Sequence, residues 1–501
     1  MPVLSWVEHR LAAAPFDSAR YQVSAAHARR VRSSGAALFL LSVSAREDAA
    51  AALSWLASTR QDLHVFSPPA LLPSPESSPA CLRRGLRTLR SGGTVAVLVP
   101  ANLDLTRWEP LTRLAGAAFI QTITVAAPGL LRFGCRRILA GHPIPALRWK
   151  DLCRQSQALP HAYWRLNLLR ATAKKRPALL LPNFSPDPAT LAALADPDEL
   201  RREIDTLPQD ALLLDQHGMR VYLAAARQIP TALDEIGRLR ESAFRLEGEG
   251  TGQPRDLDRF DSSYLHLFLW NPTRAEIAGA YRIGCTDRIL ATQGAQGIYS
   301  TTLFQFPNDW WRRTRHALEL GRSFVRPEYQ KSFSSLLLLW KGIGQLLVRN
   351  PRYRYLFGPV SISNRYTQAS RELMVQFFRL TAPVDFGSIR PRHAFKPHVL
   401  PRRHLDAIKT FAREIDLFDL AIADMDSENK GMPVLLRQYA SLGGRFLEFN
   451  VDPAFSHVVD GLVLVDLPSA DPRLLKRYLT QDGAQSYLKF HQGQRPTTRS
   501  A

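Results

Sequence analysis

The chain has 501 residues, enough for two domains that each bury a core. Its hydrophobic fraction of 45% is ordinary for a globular protein, and no run reaches the about 18–20 uninterrupted apolar residues of a membrane-spanning helix. A net charge of +20 favours an anionic partner such as an acidic carrier protein or an anionic lipid surface, while no motif for specific nucleic-acid recognition accompanies it.

Cys81, Cys135, Cys153 and Cys285 lie far apart in sequence, which argues against a zinc site and against a disulfide framework. Glu8, His9 and Arg10 stand where a signal peptide needs an apolar core. The expected location is therefore the cytoplasm, with any contact to the inner membrane peripheral.

Residues 1–200 form the first expected domain. The runs 36–43 (AALFLLSV), 94–99 (TVAVLV) and 119–125 (FIQTITV) are short, apolar and partly β-branched, which predicts strands. They alternate with helical stretches such as 49–58, so an α/β sheet is expected. Residues 67–79 (SPPALLPSPESSP) read as a loop, and 177–187 as a last strand and exit.

Residues 201–485 form the second expected domain. A helix is predicted over 232–244, followed by the glycine-rich loop 247–254 (EGEGTGQP), either a connector or a lid. Strands 265–269 and 276–283 make a hairpin about an Asn-Pro turn. The central stretch 318–346 reads LELGRSFVRPEYQKSFSSLLLLWKGIGQL. It predicts a strand to Val325, a break at Pro327, a cap at Ser332 or Ser334, and a helix over 333–346. Such a helix start presents free N–H groups that suit a phosphate. Beyond it come a strand over 355–362, helices over 372–380, 405–422 and 433–442, two strands, and a polar tail over 486–501.

The central stretch resembles the motif of the bacterial ornithine-lipid N-acyltransferases and their hemolysin-like relatives, a branch of the GNAT acyltransferases. The resemblance runs from Leu207 to Leu467. It implies a mixed α/β GNAT sheet in which two parallel strands, here 318–325 and 356–362, splay to hold a phosphopantetheine arm. Tyr329, Gln330, Lys331, Ser332 and Ser334 would then face the phosphate, and Ser361 and Asn364 the thioester. The loop QKSFSS lacks the glycine-rich pattern of many coenzyme-A users, which suits acyl carrier protein as donor and no separate cofactor.

The acyl-homoserine lactone synthases offer a second, sparser resemblance. Arg240, Phe244, Asp258, Asp261, Arg282, Phe304, Glu319 and Arg322 match its pattern, while a Trp expected after Phe244 is absent. Glu319 is the implied base and Arg322 its partner or a loop-ordering cation. Arg240 and Arg282 would bind a substrate carboxylate, for which a guanidinium fork is suited. Asn450 and Asp452 in FNVDP belong to the first family's signature without an evident chemical role.

The first half resembles a glycerolipid O-acyltransferase domain with its catalytic parts missing. None of His9, His27, His64, His142 or His161 has an Asp five positions on, and Ala101-Asn102 replace the family's Glu-Gly.

The expected function is transfer of a (3-hydroxy)fatty acyl group from acyl carrier protein to the amine of an amino acid such as ornithine, giving a lyso-aminolipid. Two alternatives stay open: a synthase of acyl-homoserine-lactone-like signals or N-acyl amino acids, and a non-catalytic lipid- or carrier-binding protein.

Overall fold

In the computed structural model the described residues are 21–23, 28, 31, 36–42, 46–59, 63–66, 86–99, 114–115, 118–126, 136–140, 144–155, 158–160, 162–164, 166, 189–330, 333–381, 389–397, 402–411, 414–425 and 430–492. Two compact units divide the chain: Met1–Pro177 with Val399–Gly431, and Ala178–His398 with Met432–Ala501. The sequence suggested one boundary near residue 200; the contacts divide the chain earlier and return 399–431 to the first unit. Residues 67–79, 177–187, Ala101-Asn102, and His9, His27, His142 and His161 lie outside the described residues.

The first unit is built on strands β1 (Tyr21–Val23), β2 (Ala37–Ser42), β3 (Leu63–Phe66), β4 (Thr94–Val99), β5 (Phe119–Ala126) and β6 (Arg136–Ala140), in the order β1-β6-β5-β2-β4-β3. Strands β3, β4, β2 and β5 run parallel, and β6 turns antiparallel to β5. Parallel strands covered on both faces need nearly continuous apolar sequence, which ALFLLS and TVAVLV supply. Helix α1 (Arg46–Thr59) packs Ala52, Leu53, Trp55 and Leu56 with Phe39, Leu41, Ala96 and Ile123. Helices Arg402–Thr410 and Ile415–Met425 belong to this unit, where the Phe411 ring meets Tyr163 and Phe418.

The second unit holds β7 (Leu212–Gln216), β8 (Met219–Ala225), β9 (Leu265–Asn271), β10 (Glu276–Cys285), β11 (Phe304–Gln305), β12 (Ala317–Val325), β13 (Tyr355–Ile362), β14 (Arg390–Pro391), β15 (Arg445–Asp452) and β16 (Val458–Asp466). Eight of them form one sheet, β15-β16-β13-β12-β10-β9-β8-β7. Its pairs are antiparallel except β12 with β13. The hairpin β7–β8 escaped the sequence reading. It closes on the two-residue turn His217-Gly218, with φ of 54° and 72°, the twist that a two-residue hairpin needs.

Helix α2 (Pro230–Leu246) packs on one face of the sheet, against Tyr222, Phe268, Trp270, Ala280 and Phe324. Its first N–H groups at Thr231 and Ala232 are met by the Glu203 carboxylate at 2.8 and 2.7 Å. Helix α3 (Phe333–Arg349) follows β12 as expected and continues three residues past the predicted end. The chain does not turn into a polar tail at 486. Helix Gln481–Gln492 continues through it, with Tyr487 buried and its hydroxyl donating to the Tyr353 carbonyl at 2.7 Å.

Candidate active site

The parallel pairing of β12 with β13 lasts three residues: Ala317 with Tyr355, Leu318 with Leu356, Glu319 with Phe357. Both strands then run on, β12 to Val325 against β10 and β13 to Ile362 against β16, without pairing with each other. Between them opens a wedge edged by backbone N–H and C=O groups, which need a partner. Gly358 stands where the wedge begins. A Cβ there would sit 2.1 Å from the Leu320 carbonyl oxygen. Only glycine allows the strands this approach.

A bulge in β12 shapes the other wall. Ala280 faces Phe324 and Arg282 faces Gly321, so β12 carries one extra residue, and Arg322 takes a φ of 48°. Bulges re-aim side chains beside active sites. Here the bulge sends Arg322 toward Asp256, with Nε 3.1 Å from Oδ2, and toward Asp258 at 3.8 Å. Its guanidinium lies 5.0 Å from the Tyr299 ring centre and 4.8 Å from that of Phe455.

Arg240 and Arg282 are buried and committed to the same acidic loop. Arg240 binds Asp261 at 2.7 Å; Arg282 binds Asp258 at 2.6 Å and Asp261 at 3.1 Å. Burial alone raises the pKa of Asp261, but Arg240 and Arg282 outweigh it and hold the carboxyl far below the usual range. His266 is pushed down to about 4 by burial and by Arg240, so it is neutral, with Nε2 donating to the Asp261 carbonyl at 2.9 Å. Both guanidiniums, which the resemblance assigns to a substrate carboxylate, fasten the 256–261 loop.

Glu319 is not paired with Arg322, nor does it stand open to an amine. It is 1% exposed and takes four donors: the Tyr264 hydroxyl, Tyr299 N–H at 3.1 Å, Ser300 N–H at 2.6 Å and the Ser300 hydroxyl at 2.5 Å. Burial raises its pKa, against the pull of the Ser300 and Tyr264 hydrogen bonds. A carboxylate with its lone pairs filled in this way holds the 298–303 segment. The same four bonds leave no open lone pair for the amine proton that a base would take.

The remaining expected residues divide. Phe304 is a core residue and Phe244 packs edge-on against Phe455, ring centres 5.2 Å apart. The Tyr329 hydroxyl binds Glu276 and accepts from Asn271 at 2.8 Å, while Gln330 donates to the Val325 carbonyl at 2.9 Å. These contacts fasten the turn before α3. Asn364 donates to the Ser456 carbonyl and accepts from Arg371 at 2.7 Å, bracing the strand ends. Ser334 lies in the first turn of α3, and Lys331 and Ser332 lie outside the described residues.

Asp256, Asp460 and Glu249 went unnoticed in the sequence. Ser361, in the part of β13 that has parted from β12, donates to Asp460 of β16 at 3.0 Å. Asp460 is 4% exposed; burial and Asp452 push it up to about 7, against Ser361 and Arg322. Glu249 rides the glycine-rich loop, where burial, Asp460 and Glu247 push it up to about 8, against Arg322. The loop is tied down rather than loose. Buried Glu241 accepts from Thr251 N–H at 3.0 Å and Gly252 N–H at 2.8 Å, and Ser456 donates to the Gly250 carbonyl at 3.1 Å. Asn450 now has a role: it receives His393 N–H at 2.7 Å and holds the neighbouring segment to β15. Asp452 receives Ala454 N–H at 2.9 Å and turns the chain before Pro453.

Residues 239–341 match the acetyltransferase (GNAT) domain model, from within α2 through the wedge strand β12 into α3. A glycine N(alpha)-acyltransferase of Bacteroides thetaiotaomicron is 36% identical over 237 residues, 44% of this chain and 69% of that protein. The chain belongs to the N(alpha)-acyltransferase family. A glycine N(alpha)-acyltransferase of Phocaeicola vulgatus is 34% identical over 168 residues, covering 31% of this chain and 52% of its own. An L-ornithine N(alpha)-acyltransferase of Brucella abortus is 27% identical over 289 residues, 55% of this chain and 93% of that protein. No solved structure matches the chain at a significant level. This family member is an N-acyltransferase of the GNAT type. Among its described residues no helix is long and apolar enough to cross a membrane.

Proposed function

We propose that the protein transfers a fatty acyl group from acyl carrier protein to the α-amine of a small amino acid, giving an N-acyl amino acid. The observation that carries this reading is the wedge between β12 and β13. A phosphopantetheine arm bears two amides in an extended chain, and the unpaired edges of residues 320–323 and 358–361 offer backbone partners for them. The start of α3, which follows β12 after the turn Pro327–Gln330, would offer its first-turn N–H groups to the arm's phosphate, and Lys331, Ser332 and Ser334 adjoin it in sequence.

The absence of a glycine-rich QKSFSS counterpart to the coenzyme-A loop favours the carrier protein as donor. So does the net charge of +20, because acyl carrier protein is acidic. Glycine is the first acceptor to test, since the relatives at 36% and 34% identity are glycine enzymes, and ornithine is the second. Release of an acylated product fits peripheral attachment to an anionic membrane, and the first unit is read as a non-catalytic platform for lipid or carrier.

The test is mass spectrometry of reactions of the purified protein with acyl- and 3-hydroxyacyl-carrier protein, and with acyl-coenzyme A, against glycine, ornithine and other amino acids. One N-acyl amino acid formed from the carrier-bound donor is expected. Turnover with coenzyme A alone would remove the carrier. Formation of a lactone signal instead would move the acceptor. Donor binding without turnover of any amine would overturn the enzyme reading.

A further inference from the structure

A zwitterionic amino acid asks two things of an acyltransferase. Its carboxylate needs a cation, and its ammonium must lose a proton before nitrogen can attack the thioester. The base must therefore keep a free lone pair on the wall of the wedge. Glu319 fails this requirement, since four donors fill it.

Asp460 meets it. It sits on β16 directly across from Ser361, which is in the stretch of β13 that has parted from β12. Among the described residues, Ser361 is its one hydrogen-bond partner, and that bond occupies Oδ1 and leaves Oδ2 open. Arg322 acts on it from β12, Asp452 from β15 and Glu249 from the glycine-rich loop; Tyr299 faces the same group from the 298–303 segment. Arg322, with its side chain 13% exposed, is the least buried of the three cluster arginines; Arg240 and Arg282 are at 0% and 1%. A cation on the β12 side and an open carboxylate on the β13 side thus flank the wedge, the two groups that an α-amino acid requires.

Resting on the acyl-transfer reading above, we propose that Asp460 is the catalytic base, taking the proton of the acceptor ammonium while Arg322 holds the acceptor carboxylate. Asp460 receives one proton. The freed nitrogen lone pair bonds to the thioester carbon, the C–S bond breaks with its electron pair going to sulfur, and the thiolate takes the second amine proton. The proton on Asp460 then passes to solvent. Burial and the negative charge of Asp452 raise the affinity of Asp460 for that proton, against Ser361 and Arg322, so it is poised near neutral pH.

The test is the pH dependence of kcat/KM for wild type, Asp460→Asn and Asp452→Asn. Asp460→Asn keeps an oxygen for Ser361 and should lower kcat about 100-fold or more, with the KM for the acyl donor nearly unchanged. Asp452→Asn removes one negative neighbour, so the ascending inflection should move to lower pH. Arg322→Lys should raise the KM for the amino acid far more than that for the donor. Turnover of Asp460→Asn within about threefold of wild type, or an inflection unmoved in Asp452→Asn, would overturn the proposal. If wild type shows no turnover, the reading of the reaction fails, and infrared spectra still test the base. A protonated carboxyl band that titrates near neutral pH in wild type and vanishes in Asp460→Asn is expected. Its absence from wild type would also overturn the proposal.

Discussion

Four donors converge on Glu319 from the Tyr264 hydroxyl, two backbone N–H groups and the Ser300 hydroxyl. A Glu319→Gln change would turn an NH2 toward groups that can only, or preferentially, donate. A buried donor facing a donor costs about 1–3 kcal/mol. Urea unfolding should show that loss, and no loss would mean that the carboxylate does not hold this segment. Asp460 should behave in the opposite sense. Its folded pKa is raised, so the native state binds more protons than the unfolded state between the ordinary carboxylate range and about 7. The stability it supports is complete in acid and is lost as pH rises through about 7. Asp460→Asn should therefore gain on wild type between pH 5 and pH 8, by an amount on the order of a few kcal/mol, read from melting temperatures at the two pH values. A constant difference across that range would refute a raised folded pKa.

At the scale of elements, the wedge depends on one glycine and one bulge. Gly358→Ala would press a methyl group onto the Leu320 carbonyl. The strands must then shift, and the expected result is at least a tenfold loss of donor affinity with the fold retained by circular dichroism; unchanged donor KM would show that the approach is not needed. The strands themselves were legible. Periodicity gave β9, β10, β12 and β13 nearly to the residue, because their apolar faces are buried in a defined register. Arg240, Asp258, Asp261, Arg282 and Arg322 were legible as a set through the family pattern, but not in their pairing, and Asp256 lies outside that pattern. Glu319-x-x-Arg322 reads as a neighbouring pair, and the bulge at Arg322 turns the two side chains to different partners. Asp460 was invisible, because one acidic residue in DGLVLVDL differs from a turn residue only through the strand it faces. The β7–β8 hairpin was missed because His-Gly is a weaker turn signal than Asn-Gly.

At the scale of the whole molecule, charge and domain order bear on the donor. A chain of +20 attracts an acidic carrier through long-range forces that salt screens. The KM for acyl-carrier protein should rise several-fold from about 50 to 300 mM salt, where the Debye length shrinks below 10 Å, while the KM for a zwitterionic acceptor stays level. Equal salt sensitivity of both would remove the steering argument. The first unit is a mostly parallel sheet in its own right, and its role as a platform follows only if donor or lipid binding is lost with it.

The most direct measurement is a crystal structure of the protein with a non-hydrolysable acyl-pantetheine thioether. The arm is expected to lie between β12 and β13, its amides paired with backbone groups of 320–323 and 358–361 and its acyl-bearing carbon facing Asp460 and Arg322. An arm bound elsewhere, or two strands closed on each other with the ligand outside, would contradict it.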